Sequence, residues 1–171
     1  KFNTYINESI SDANIAGMAV AIVSADSIIF TQGYGYSDIQ TKELFTPNTV
    51  INIASISKTF VGVALMNLVE NGLISLDEDV NTFLPFKVLN PHLPESIITP
   101  RHLMSHSSGI QDNQKVYLPS YHYGGDSPTP LGEFLADYLS PNGTHYSKNN
   151  FTKSKSGGKF VYSNIGAGLA G

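Results

Sequence analysis

An apolar stretch from Ser55 to Glu70, stopped by Asn71-Gly72, sets one helix in the middle of the chain. Before it the residues are dense in β-formers. Behind it, prolines at 85, 91, 94 and 100 cut the chain into short segments. Strands at the front and short helices behind make this an α/β chain. The helix start also carries chemistry. Ser55-Ile56-Ser57-Lys58 puts a hydroxyl and an amine on one face, one turn apart. The positive end of the helix dipole lies close to the serine oxygen. An uncharged lysine placed there can take the serine's proton, and no histidine is needed. Taken alone, the tetrapeptide reads more plainly as an N-cap serine followed by an exposed lysine.

Around that helix the pattern is readable in pieces. Residues 1–15 are expected to be helical, with Phe2, Tyr5, Ile6 and Ile10 on one face. The β-formers from Ala16 to Ala25, a turn at Ser24-Ala25-Asp26-Ser27 and the return run Ile28–Gly33 predict a β-hairpin without an Asn-Gly turn. Gly33-Tyr34-Gly35-Tyr36 continues the second strand, and its glycines point to a bulge or a close backbone approach. Thr46-Pro47-Asn48-Thr49 marks a further turn, and Ser75–Asp79 a connector able to open a short helix. Thr99–Met104 reads as a capped helix with proline at its first position, and Leu131–Leu139 as another. Residues 111–130 and 140–159 read as loops.

The change of character at Asn81 divides the chain into 1–80, holding the hairpin and the central helix, and 81–171, mainly helical with long loops. The closing run Ile165–Gly171 is small and apolar, like the first turns of a buried helix. It is expected of the N-terminal piece of a longer protein, because natural termini are usually polar and exposed.

Composition excludes several function classes. At 171 residues with 41% hydrophobic residues, the chain can bury a core as one ordinary domain. A formal charge of −4 with only 14% charged residues leaves no basic stripe for nucleic acid. Without cysteine there is no disulfide, thiolate metal site or cysteine nucleophile. No apolar run approaches the roughly 18 residues that span a bilayer.

Two further constellations are candidates. In Tyr162-Ser163-Asn164 an extended backbone turns Tyr162 and Asn164 to one side, where a phenol can shuttle a proton and an amide can orient a lysine or a substrate carbonyl. The plainer reading is a core tyrosine and an asparagine capping the next helix. His102 and His106 stand four apart, so on one helix both can face a metal; Leu103 stands where the H-E-x-x-H zinc motif needs glutamate, and a third ligand would have to come from His92, His122 or His145. Structural histidines are the other reading. No G-x-S-x-G elbow surrounds any serine.

Three blocks occur in order: Asn52–Phe60 around Ser55-Ile56-Ser57-Lys58, Ile98–Ile110 around Thr-Pro-Arg-His-Leu-Met-Ser-His-Ser-Ser-Gly, and Phe160–Asn164. Together they resemble the serine β-lactamase-related family of class C β-lactamases, D-alanyl-D-alanine carboxypeptidases, D-aminopeptidases and related esterases. Gly33–Asp38 and Gly72–Val80 add lesser matches, and the resemblance covers nearly the whole chain. It implies a β-lactamase/transpeptidase-like fold, an antiparallel sheet flanked by helices plus a mainly helical subdomain, here truncated before the C-terminal strands. It implies that Ser55 is the acylated nucleophile, Lys58 its proton partner, Tyr162 the general base, and Asn164 the residue orienting Lys58 and the substrate. The Ser55 backbone N–H would form half of the oxyanion hole. No cofactor or metal is implied, only a small-molecule or peptide substrate: a β-lactam, a D-amino-acid peptide or a small ester. A periplasmic or secreted location is the expectation.

The family's third motif, Lys/His-Thr/Ser-Gly on a later strand, has no counterpart before Gly171, and Ser156-Gly157-Gly158 stands where relatives often place a Pro-Gly turn. A second function class is a non-catalytic relative that uses the cleft for binding; keeping Ser55, Lys58, Tyr162 and Asn164 together argues against it.

Overall fold

The computed structural model describes residues 1–171, which pack as two compact units, Lys1–Ile53 and Ala54–Gly171. The change in proline content suggests a boundary at 80/81. Packing instead groups the central helix with the later segments, because its contacts are with the closing helix.

In the first unit, helix α1 (Phe2–Asp12) buries Ile10, while Phe2 meets Phe30 edge-on with ring centroids 5.5 Å apart. Tyr5, expected on the same apolar face, is exposed. Strands β1 (Gly17–Ser24) and β2 (Ser27–Asp38) form the expected hairpin, antiparallel from Gly17↔Gly35 to Ser24↔Ser27. Its turn works without Asn-Gly because Ala25 adopts φ +44. The glycines behave as read. A Cβ on Gly33 would come 2.0 Å from the Phe45 carbonyl oxygen, and Gly35 sits at φ +69. That close approach admits β3 (Glu43–Leu44), a two-residue strand with no pattern of its own, which completes a sheet of order β1-β2-β3.

The second unit opens with a 3-10 turn, Ala54–Ile56, and helix α2, Ser57–Glu70. The helix therefore begins two residues later than the apolar run suggests. Its end is as expected. Gly72 at φ +69 lets Leu73 N–H reach the Leu68 carbonyl at 3.0 Å and its own N–H reach Val69 at 2.9 Å, the Schellman closure. Helix α3 (Pro100–Met104) starts in a reciprocal cap: His102 N–H donates to Thr99 Oγ1, and Thr99 N–H to His102 Nδ1. The stretch read as loop over 111–130 holds a short helix, α4 (Gln114–Tyr117), capped by the Asn113 side chain and continued by a 3-10 turn at Leu118–Ser120. Helix α5 (Leu131–Leu139) matches expectation, and α6 spans Asn164–Ala170. No helix is long and apolar enough to cross a membrane.

The core of this unit gathers Leu103, Ile110, Tyr138, Leu139, Phe151 and Ile165, drawn from segments more than sixty residues apart. Inside it lies one fully buried amide. Asn150 Nδ2 donates to the Tyr138 carbonyl at 2.8 Å and the His145 carbonyl at 2.7 Å, and its Oδ1 accepts from Asn113 Nδ2 at 2.9 Å. The polar 140–159 segment is thus tied in by a side chain, beside the short Ile110↔Phe151 bridge in which Gln111 N–H donates to the Asn150 carbonyl and Thr152 N–H to that of Gly109. Asn150→Ala leaves the buried Tyr138 carbonyl and the part-buried His145 carbonyl without this donor and is expected to cost about 2 kcal/mol or more. Chemical denaturation measures this, and Asn150→Leu should not recover it; recovery by leucine would mean that volume, not hydrogen bonding, holds the segment.

Candidate active site

Ser55 sits at the middle of the Ala54–Ile56 turn, directly after Ala54 at φ +47, a left-handed conformation that costs an alanine roughly 1 kcal/mol. Its side chain is not the helix cap; α2 is capped at Ile56 without any side-chain hydrogen bond. The hydroxyl is instead turned to chemistry. Lys58, in the first turn of α2, donates from Nζ to Ser55 Oγ at 3.0 Å. Tyr162, on the extended run before α6, donates from Oη to the same oxygen at 2.8 Å. Lys58 Nζ also stands 5.4 Å from the Tyr162 ring centroid. Three residues expected to act together do meet, across 107 positions of sequence.

The phenol is held below the ordinary tyrosine value, first by its hydrogen bond with Ser55 and then by that with Lys58; burial opposes them, and the lysine's charge adds a smaller lowering. A phenolate here accepts from the serine hydroxyl, which is the arrangement a general base requires.

Asn164 is placed differently from the expectation. As the first residue of α6 it donates from Nδ2 to Asp112 Oδ2 at 2.8 Å, and its amide hydrogen-bonds Asp112 rather than Lys58. Nor does it cap the helix. Ser163 does, with Oγ accepting from Gly166 N–H at 2.9 Å. Asp112 went unread in the sequence. It also accepts from Ser163 Oγ, Asn164 N–H and Ile165 N–H, at 2.9, 3.0 and 3.1 Å. Its only signal is an aspartate shortly after Ser-Ser-Gly, and its partners lie some fifty residues on.

The two histidines do not form a pair. The helix ends at Met104, and His106 lies beyond it at φ +52. His102 accepts the Thr99 amide at Nδ1, while His106 accepts the Ser163 amide. No group of three or more His, Asp or Glu side chains converges anywhere in the structure.

A cavity of about 390 Å³ adjoins the site through Asn164, walled by Tyr117, Leu131, Phe134, Ile165 and Gly168, with Asp126 at its rim. A larger one of about 600 Å³ along α2 and α3 touches none of Ser55, Lys58 or Tyr162.

With this geometry, comparison with known proteins is decisive: the family model described as Beta-lactamase matches residues 2–171. The chain belongs to the β-lactamase family. Protein flp of Staphylococcus aureus is 29% identical over 171 residues, which cover 100% of this chain and 32% of that protein. Among solved structures, the octameric penicillin-binding protein homologue from Pyrococcus abyssi superposes with a TM-score of 0.74 at 29% identity, over 99% of this chain and 36% of the other. The D-amino acid amidase from Ochrobactrum anthropi SV3 shares the fold, with a TM-score of 0.71 at 23% identity over 98% of this chain and 42% of its own. The β-lactamase/transpeptidase-like fold is therefore established. The chain spans about a third of the length of the curated relatives it matches.

The Tyr162 phenol is expected to ionise below the ordinary value of 10.0. The difference in tyrosinate absorbance between the protein and Tyr162→Phe reads it directly. Ser55→Ala and Lys58→Ala should each move the midpoint up; a phenol titrating at or above the ordinary value means the cluster does not form in solution.

Proposed function

We propose that this chain is the N-terminal part of a serine hydrolase that cleaves an amide or ester bond through an acyl-enzyme. The observation that carries the reading is the convergence of Lys58 Nζ and Tyr162 Oη on Ser55 Oγ. Ser55 Oγ attacks the carbonyl carbon while its proton passes to the Tyr162–Lys58 pair. The tetrahedral intermediate collapses, its C–N or C–O bond breaks, and the same proton goes to the leaving group. A water, deprotonated by the pair, then attacks the Ser55 ester, releasing the acid and restoring the hydroxyl. The lysine's charge close to the phenol favours the phenolate that this relay needs.

The substrate class is a β-lactam, a D-amino-acid peptide or amide, or a small ester. Asn164 contributes to substrate binding from the mouth of the cavity it lines, its orientation fixed by Asp112 rather than by contact with Lys58.

The test is covalent. The complete protein, treated with a fluorophosphonate or a labelled penicillin and then digested, should carry the label on the peptide containing Ser55, and Ser55→Ala should abolish it. Failure of both probes to mark Ser55 would return the chain to a binding role.

Residues 1–171 alone should turn over little, because the family resemblance implies that the second oxyanion donor comes from the later strand that carries the third motif. Its loss costs about 3 kcal/mol, roughly a hundredfold in rate. Turnover by residues 1–171 at the rate of the complete protein, measured on a short-chain ester, would overturn that assignment.

A further inference from the structure

His106 takes no part in the relay and never touches Ser55, yet it is folded against the segment that presents the phenol. Its backbone is in the left-handed region at φ +52, which an unconstrained histidine avoids. Four contacts tie it to that segment. The His106 carbonyl accepts from Val161 N–H at 2.7 Å, and its Nδ1 accepts from Ser163 N–H at 3.2 Å. Between those two anchors its ring lies over Tyr162, with centroids 4.4 Å apart and planes tilted by 36°. The ring also meets Phe160 edge-on at 5.7 Å. One residue thus touches four consecutive positions, 160 to 163, with Tyr162 third among them.

We infer that His106 is a positioning residue for Tyr162, and that it holds the phenol on Ser55 only while its ring is neutral. This rests on the acyl-enzyme reading above. The physical reason is the Nδ1 lone pair. A neutral imidazole protonated at Nε2 can accept the Ser163 amide; an imidazolium has two N–H donors and no acceptor. Protonation breaks that bond, leaves the Ser163 N–H without its partner, and sets a positive charge against that of Lys58.

The charged and titratable groups facing the ring are Lys58 from α2, Asp112 from the segment preceding α4, and Tyr162 itself. Burial lowers the ring's proton affinity most, Lys58 lowers it further, and Asp112 opposes both. The sign follows. The ring is neutral at and above the ordinary histidine value of 6.5, and positioning fails as pH falls below it through the lowered folded value.

Two substitutions separate the ring from its lone pair. His106→Asn suits the left-handed backbone and offers Oδ1 as an acceptor that does not titrate in this range. His106→Phe keeps a ring over Tyr162 and removes the acceptor. The experiment measures the pseudo-first-order rate of fluorophosphonate labelling at Ser55 in the complete protein, from neutral to acid pH, with thermal unfolding of each variant as a folding control. Wild type should show an acid inflection below the ordinary histidine value. His106→Asn should lose that inflection while retaining neutral-pH labelling within about tenfold, and His106→Phe should slow at every pH without an inflection. An unchanged acid inflection in His106→Asn, or none in wild type, overturns the proposal.

A second readout is independent of turnover. The ring nitrogens of ¹⁵N-histidine-labelled protein should show His106 protonated at Nε2 alone at neutral pH, and titrating below an ordinary histidine. A proton on Nδ1 at neutral pH overturns the positioning role whatever the labelling shows. Wild type that resists labelling at Ser55, with the expected His106 tautomer, sinks the acyl-enzyme reading and leaves the ring's hold on Tyr162 standing.

Discussion

The carboxylate of Asp112 accepts four hydrogen bonds from three consecutive residues at the start of α6, and the geometry of the site depends on it. A helix start leaves backbone N–H groups without partners, and here two of them end on one carboxylate, whose charge also complements the helix dipole. That fixes residues 163–165 against residue 112. Tyr162 precedes this anchor directly and has no freedom of its own beyond a few dihedrals. Its phenol therefore reaches Ser55 through main-chain constraints and the His106 ring stacked on it, although the residue is 45% exposed.

On the nucleophile's side the constraint is of another kind. Ser55 is presented by a short 3-10 turn entered through a left-handed alanine, and the regular helix begins only at Ser57. Strain of this sort persists when the surroundings over-determine it, and it gathers where a side chain must be aimed rather than packed. The hydroxyl escapes the capping role that a serine at a helix start normally takes. It is left to Lys58 and Tyr162.

What the sequence disclosed follows the range of each interaction. The stop at Gly72, the Thr99–Pro100 start of α3 and the hairpin turn are set by neighbours within five residues, and all were legible. The Ser55–Lys58 pair was legible too, since three residues of helix fix it. Tyr162 could be placed beside them only through the resemblance of three ordered blocks to one family, because no local rule spans 107 positions. Asp112 was missed for the same reason, with partners about fifty residues on; the cap itself is local, Ser163 to Gly166, one residue before the asparagine that the pattern offers. The two-residue β3 and the short α4 were hidden differently. One follows from the close approach that Gly33 permits, the other from an asparagine cap inside a segment whose glycines and prolines point to loop.

The order β1-β2-β3 leaves β1 paired along one side only, and the hairpin tip exposes Ile22, Val23, Ile28 and Ile29. An apolar strand with free amides and carbonyls along its rim is a template for any extended peptide, including another copy of itself. It is equally the rim along which the sheet of a longer chain would continue, so the alternation in residues 17–24 carries the register that a further strand would have to match.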